Sequence, residues 1–328
     1  MKIFTATVVR SFLLILVLSG LALAQSPTAG QPAVPPSPPS AAVPEAAVGP
    51  VRALIVVAHP DDESCLAATV YEITHNLGGT VDQLVITNGE GGYHYSLLAE
   101  AFYGIALTDE ATGRAALPEI RKRELLEAGH ILGIRNHYFL DELDLRNTKD
   151  VDEVLNQHWR PGVVLPEVER RLAAGNYDFV FTLFPSPQTH GAHKAAALTA
   201  IGAVQQMAGR RPVVFGCQTA HSDAPAQPSW EGFQSPQHPF GVLPQVFITD
   251  RTVKFGYNDS LDYQIIVSWM IAAHKSQGMF QAGLNRADRE EFVILESGVG
   301  DEVGRAKQLF HALAEQAPHP KGLAAPKP

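Results

Sequence analysis

One segment constrains the fold of this chain more than any other. Residues 52–58 are apolar at every position after Arg52, and a polar turn, residues 59–63, follows them directly. A run of strand length without polar alternation is typical of a strand buried on both faces of a parallel sheet. Beyond the turn, apolar residues recur at helical spacing as far as Asn76, and two glycines follow, as they often do after a helix. The segment therefore predicts a strand, a turn and a crossover helix.

The same alternation continues along the chain. Further strands are predicted at 81–87, 137–140, 177–184, 212–216 and 291–295, and helices at 64–76, 118–133, 163–174, 190–208, 262–279 and 301–315. Parallel strands joined by right-handed helical crossovers bury both faces of their sheet. The pattern predicts an α/β fold in a single domain, with a Rossmann-like, mostly parallel sheet and helices on both faces. Residues 221–244 are rich in proline and predict an irregular insertion.

The first 24 residues differ from the rest of the chain. They combine Lys2 and Arg10 with an apolar run, 12–24, that ends in a small-x-small sequence. This arrangement is typical of a secretory signal peptide, and the run is too short to cross a bilayer, which takes about 20 helical residues. We therefore expect an exported protein, periplasmic or extracellular, without a stable membrane span once the signal is cleaved. An uncleaved N-terminal anchor is the alternative.

Two further segments are not expected to fold. Residues 25–50 hold eight prolines and a single charged side chain, Glu45, which predicts a disordered tether. Residues 318–328, rich in proline, alanine and lysine, predict a flexible tail. The folded domain is therefore expected to span residues 51–317.

Composition excludes one class of partner and leaves the cysteines open. The formal net charge is −9 and no cluster of lysine and arginine stands out, so nucleic-acid binding is not expected. The two cysteines, Cys65 and Cys217, have no metal-ligand spacing. A disulfide is open to an exported protein, but two buried free thiols are the slightly favoured interpretation.

Side chains that bind metals are concentrated in two turns, each directly after a predicted strand. The first turn carries His59, Asp61 and Asp62, and the second carries His190 and His193, which share one face of the helix that they open. Ligands bind where the carboxyl ends of parallel strands meet, and imidazole with carboxylate suits a divalent cation. Alternatively, one of the aspartates merely caps the helix that follows.

The residues of these turns resemble the motifs of a known family. The sequence AHPDDE at 58–63 and the HxxH at 190–193 resemble those of the PIG-L or LmbE-like family of zinc-dependent N-acetylglucosamine deacetylases. The resemblance covers roughly residues 52–295 and includes the segments 87–91, 121–124, 132–133 and 273–277. The export signal, the tether and the 221–244 insertion depart from the family pattern, which affects the expected substrate more than the expected chemistry.

The resemblance implies a role for each matching residue. His59, Asp62 and His193 would bind Zn²⁺ or another divalent metal, and Asp61 would be the general base that takes a proton from water. A protonated His190 would stabilise the oxyanion, and either Asp61 or His190 would protonate the leaving amine. Arg121 and His274 match positions near the substrate. Alternatively, Arg121 is solvated or paired with Glu124. The alternative for His274 is a structural contact of its helix.

The expected function is an exported zinc-dependent hydrolase that removes the acetyl group from an N-acetylglucosamine-type conjugate, a small-molecule substrate. A zinc amidase acting on another N-acyl small molecule is the alternative within the enzyme class. A non-catalytic carbohydrate-binding protein on the same fold is the alternative from another class. Composition and location suggest that the insertion forms one wall of the pocket, with Trp230 or Phe233 stacked on a sugar face.

Overall fold

The computed structural model describes residues 50–221, 223, 230–233, 237–278 and 286–316. The predicted signal peptide, nearly all of the predicted tether, the predicted tail and part of the insertion lie outside the described residues. Their boundaries stay predictions.

A seven-stranded sheet forms the centre of the described part of the chain, in the order β3-β2-β1-β4-β5-β9-β6. Strands β1 to β5 are parallel, β9 is antiparallel to β5, and the edge strand β6 is antiparallel to β9. The sheet strands are β1 (Arg52–Val57), β2 (Thr80–Thr87), β3 (Asn136–Glu142), β4 (Phe179–Leu183), β5 (Val213–Ala220), β6 (Val242–Asp250) and β9 (Arg289–Leu295). Strands β7 (Lys254–Phe255) and β8 (Leu261–Asp262) form a separate ribbon. The predicted Rossmann-like, mostly parallel sheet is confirmed.

Helices connect the strands. They are α1 (Ala67–Tyr71), α2 (Leu97–Tyr103), α3 (Glu110–Leu132), α4 (Val151–Glu153), α5 (Pro161–Gly175), α6 (Gly191–Gln206), α7 (Tyr263–Ala273) and α8 (Glu302–Gln316). Short 3₁₀ turns at Asp62–Leu66 and Glu90–Tyr95 and π-helical turns at Glu72–Asn76 and Val154–His158 adjoin them. Helix α3 begins earlier than predicted, because Asp109 caps it by accepting the Thr112 N–H at 2.9 Å.

The core explains why β1 is apolar at every position after Arg52. Ile55 and Val57 belong to one buried cluster, with side chains of α1, α3, α7 and α8, whereas Leu54 and Val56 belong to another, with side chains of α5 and α6. Successive residues of a strand point to opposite faces. Helices therefore cover both faces of the sheet, and neither face of β1 tolerates a polar side chain.

One prediction about the second half of the chain needs correction. The segment predicted as irregular up to Pro244 contains the start of β6, which carries Pro244 at the sheet edge, where a missing N–H is tolerated. Helix α2 was not predicted. The interpretation of Cys65 and Cys217 as free thiols is confirmed, although Cys65 is only partly buried. None of the described helices combines the length and apolarity that a bilayer crossing requires.

Glu72 provides a test of the core that does not depend on function. Its carboxyl is buried, and burial, together with the charge of Glu290, raises its pKa from 4.5 to about 8. A raised folded-state pKa means that stability is fully present below pH 4.5 and is lost as the pH rises through about 8. We expect Glu72→Gln to leave the unfolding free energy unchanged near pH 5 and to raise it at pH 9, on the order of a few kcal/mol.

Urea unfolding at the two pH values measures this difference. The exposed Glu119→Gln variant is the matched control, because it removes a carboxyl from the surface of α3. Equal effects of Glu72→Gln at both pH values would contradict the buried, neutral carboxyl.

Candidate metal centre

The site lies where the chain changes direction across the sheet. From β1 the chain proceeds outward through β2 and β3, and then returns to β4 on the other side of β1. The loops after β1 and β4 therefore diverge and leave a crevice at the carboxyl ends of these strands. His59 and Asp62 come from the loop after β1, and His190 and His193 come from the start of α6, which follows β4.

Three donor atoms in this crevice form a small triangle. Nδ1 of His59 lies 3.0 Å from Nε2 of His193, which lies 3.2 Å from Oδ1 of Asp62, and the third side, from His59 Nδ1 to Asp62 Oδ1, is 3.6 Å. Ligand atoms bonded to tetrahedral zinc at about 2.0–2.1 Å are roughly 3.3 Å apart. Two imidazoles and a carboxylate are also an ordinary donor set for zinc. The residues present therefore fit the metal that the sequence predicted.

A larger grouping includes the third histidine. Ligand atoms of His59, His190 and His193 all lie within 4.8 Å of one another. This spread is wider than the 3.0–3.6 Å triangle that includes Asp62. The edges of the tighter set are the ones that match a zinc coordination sphere.

Neighbouring groups hold the donors in place. Oδ2 of Asp62 accepts the backbone N–H groups of Ala58 at 3.1 Å and His59 at 2.9 Å, which leaves Oδ1 facing the two imidazoles. The Thr189 hydroxyl lies 3.0 Å from Nδ1 of His193. Such contacts to the far side of a ligand fix its orientation and the ring nitrogen that it offers.

The electrostatics of the crevice favour a positive charge at this position. Burial alone would lower the pKa of His59, but the carboxylates of Asp144 and Asp62 outweigh it and raise that pKa to about 10. The pKa of Asp62 is held well below its usual range despite burial, because His193 and His59 lie against it. The same two carboxylates would also attract a metal cation.

His190 differs from the other histidines. Burial, followed by the nearby His59 and His193, lowers its pKa to about 4. This direction favours a neutral imidazole at pH 7, whereas the resemblance implied a protonated His190, and that role stays a prediction. Its ring lies 5.1 Å from that of His59 and 5.6 Å from that of His193, measured between centroids.

Asp61 and Arg121 form a buried ion pair beside the metal ligands. Oδ1 of Asp61 lies 3.0 Å from a terminal nitrogen of Arg121, and the two side chains are 9% and 2% exposed. The predicted pair of Arg121 with Glu124 does not form, because Glu124 accepts hydrogen bonds from Ser276 and Tyr103. The burial of Arg121 argues against the predicted substrate contact.

His274 also lies in a different environment from the one expected for a substrate contact. Its side chain is 0% exposed, and its Nε2 lies 2.6 Å from Oε1 of Glu63, whose Oε2 accepts a hydrogen bond from Gln83. A group without solvent exposure does not meet a substrate here. The alternative interpretation, a structural contact, fits: His274 joins the end of α7 to the turn that carries the metal ligands.

The described residues of the insertion pack against the loop that follows β4 and leads to His190. The ring of Trp230 lies 4.7 Å from that of Phe184 in an edge-to-face contact, and the Phe233 N–H donates to the Pro185 carbonyl at 3.0 Å. Both aromatic rings pack within the apolar cluster on the α5 and α6 face of the sheet. The described residues of the insertion adjoin the loop after β4, and the stacking of Trp230 or Phe233 on a sugar stays a prediction.

The sequence did not reveal Asp144. It follows β3, and its Oδ1 lies 3.6 Å from Nε2 of His59. The donor triangle lies on the other side of that ring, at Nδ1. Its backbone N–H donates to Glu90, and its carbonyl accepts from Arg114. Burial opposes its ionisation, yet the adjacent His59 holds its pKa well below the usual range. Its position after a predicted strand was the only available signal.

Comparison with known proteins gives one family match. Residues 54–204 match the model of the family described as PIG-L: GlcNAc-PI de-N-acetylase. No curated protein matches the chain.

Several solved structures are similar. A deacetylase triple mutant of the teicoplanin biosynthetic pathway has a TM-score of 0.51 at 14% identity, over 75% of this chain and 98% of its own. N,N'-diacetylchitobiose deacetylase from Pyrococcus horikoshii has a TM-score of 0.49 at 17% identity, over 75% and 84%. The A40926 pseudoaglycone deacetylase has a TM-score of 0.49 at 17% identity, over 77% and 100%. At such identities the similarity concerns the fold alone, and of these three the first supports it.

Proposed function

We propose that this chain, whose residues 54–204 match the PIG-L family model, is an exported zinc-dependent N-deacetylase. Its substrate would be an N-acetylglucosamine-type amino sugar conjugate. The triangle of donor atoms from His59, Asp62 and His193, with Asp61 next in sequence, is the observation on which this proposal rests. The family description, a de-N-acetylase of GlcNAc-PI, supports acetyl as the group removed. Export rests on the predicted signal peptide.

The side chains divide the work of amide hydrolysis. Bound zinc would supply a Lewis acid and an acidified water to this crevice. Asp61, held by Arg121, accepts the proton of the attacking water as general base. A neutral His190 can donate a ring N–H to the acetyl oxygen as negative charge develops there. The amine leaves after receiving from Asp61 the proton that Asp61 took from the water, and the products are acetate and a free amino sugar.

Acetate release tests the proposal. We expect the purified, zinc-loaded protein to release acetate from at least one member of a panel of N-acetylglucosamine conjugates, and a chelator to stop the release. No acetate from any conjugate, together with no effect of the chelator, would contradict the enzymatic interpretation. Release of a different acid from other N-acyl amides would instead favour the amidase alternative. Calorimetric binding of conjugates without turnover would favour a carbohydrate-binding protein.

A further inference from the structure

We propose that Arg121 is a positioning residue that orients the base Asp61, and that it is not a contact for the substrate. This inference rests on the proposed function, since it concerns the base of that reaction. It departs from the role that motif similarity assigned to the same arginine.

The guanidinium of Arg121 joins two loops of the crevice. Helix α3 carries it beneath the loops that follow β1 and β2. One terminal nitrogen lies 3.0 Å from Oδ1 of Asp61 and 3.4 Å from the Pro60 carbonyl, and the other donates to the Gly89 carbonyl at 2.7 Å. Its donors are thus directed at the loop of the base and at the neighbouring loop. A planar, forked guanidinium can span such a set, whereas a lysine ammonium acts as a single point charge.

The loop after β2 is shaped to admit this guanidinium. Gly89 has φ +70°, and a Cβ built on it would lie 2.6 Å from a terminal nitrogen of Arg121. A Cβ on Gly92 would lie 2.5 Å from the same nitrogen. Any larger residue at either position would therefore displace the arginine. This close fit on both sides leaves Arg121 only 2% exposed, which argues against direct contact with a substrate in the crevice.

The pair determines how the Asp61 carboxylate is presented. Oδ1 is engaged by Arg121, so the rotation of the carboxylate is restricted and Oδ2 is the oxygen left for the attacking water. A base contributes fully only when it lies within hydrogen-bond reach of the proton that it removes. Loss of Arg121 should therefore reduce the rate of the chemical step and leave substrate affinity nearly unchanged.

Steady-state kinetics of Arg121→Gln and Arg121→Lys test this role. With the N-acetylglucosamine conjugate that the wild-type protein deacetylates fastest, we expect kcat to fall by about 10²-fold for Gln, within the range that general-base catalysis contributes, and less for Lys. KM and zinc content should stay near the wild-type values. Arg123→Gln, an exposed arginine of the same helix, is the matched control and should leave kcat unchanged.

Other outcomes would overturn the proposal. A raised KM with an unchanged kcat would identify Arg121 as a substrate contact. An unchanged kcat and KM with a lowered Tm would identify it as purely structural. In a variant that already carries Asp61→Asn, replacing Arg121 should lower kcat only slightly further. If the two substitutions instead lowered kcat by the product of their separate effects, the two residues would not be coupled.

A crystal structure of Arg121→Lys separates this inference from the proposed function. If the wild-type protein released no acetate, the deacetylase proposal would fail, yet the orientation of Asp61 would still be measurable. We expect the Asp61 carboxylate to rotate away from its wild-type position in that variant. An unmoved carboxylate in a folded variant would refute the positioning role.

Discussion

Replacing Asp61 with Asn is expected to lower kcat by about 10²–10⁴-fold, the range that a positioned general base contributes. The amide has nearly the size of the carboxylate, but it cannot accept a proton from water. Zinc content should not change, since the donor triangle is formed by His59, Asp62 and His193. Acetate release gives the rate, and elemental analysis of the purified variant gives the zinc content.

The matched control is Asp301→Asn, an exposed aspartate directly before α8, at the edge of the sheet opposite to the two metal-binding turns. It should retain full activity and full zinc. If Asp61→Asn kept its rate, Asp61 would not be the base, and His190 would be the next group to examine. If the variant lost zinc together with its activity, the fall in kcat would no longer report on proton transfer, and the assignment of Asp61 outside the metal set would be wrong.

The sequence predicted the sheet because its strands are buried on both faces. The apolar run of β1 supplies Leu54 and Val56 to one cluster and Ile55 and Val57 to the other, so the pattern was local and unambiguous. Helix α2 had no such signal, since its apolar side chains Leu97 and Phe102 are exposed and do not mark a buried face. Strand β6 was missed because it lies at the sheet edge, where burial alternates irregularly and a proline is tolerated.

The sequence predicted those parts of the proposed site whose chemistry is local. The proposed metal ligands and Asp61 lie in two short turns after strands, and the sheet brings those turns together. The roles of Arg121 and His274 were not predictable, because burial depends on partners distant in sequence. Glu63, which pairs with His274, lies 211 residues away. Asp144 required the tertiary position of the loop after β3, which no local pattern encodes.

A metal assay of three variants separates the two ligand sets that the crevice allows. We expect His193→Ala to lose most of its zinc, because it removes one corner of the triangle. Loss of a group that only supports a metal ligand lowers affinity by about 10–100-fold, and loss of a ligand should exceed that. His190→Ala should keep its zinc, since His190 belongs only to the wider 4.8 Å grouping. Thr189→Val removes the hydroxyl 3.0 Å from Nδ1 of His193, and its zinc content should lie between those of the other two variants.

The order of zinc affinities among the three variants distinguishes the two ligand sets better than the affinity of any single variant does. A bound metal stabilises the folded state according to its affinity, so the zinc-induced rise in Tm should be nearly absent for His193→Ala, reduced for Thr189→Val and intact for His190→Ala. Equal losses for His190→Ala and His193→Ala would instead indicate a three-histidine site. In that case Asp62→Ala would retain zinc, and the carboxylate would act by orienting His59 and His193, against which it lies at 3.6 Å and 3.2 Å. Such a result would keep the metal site in the crevice. His190 would then be a metal ligand, and Asp62 would be a residue that orients the other ligands.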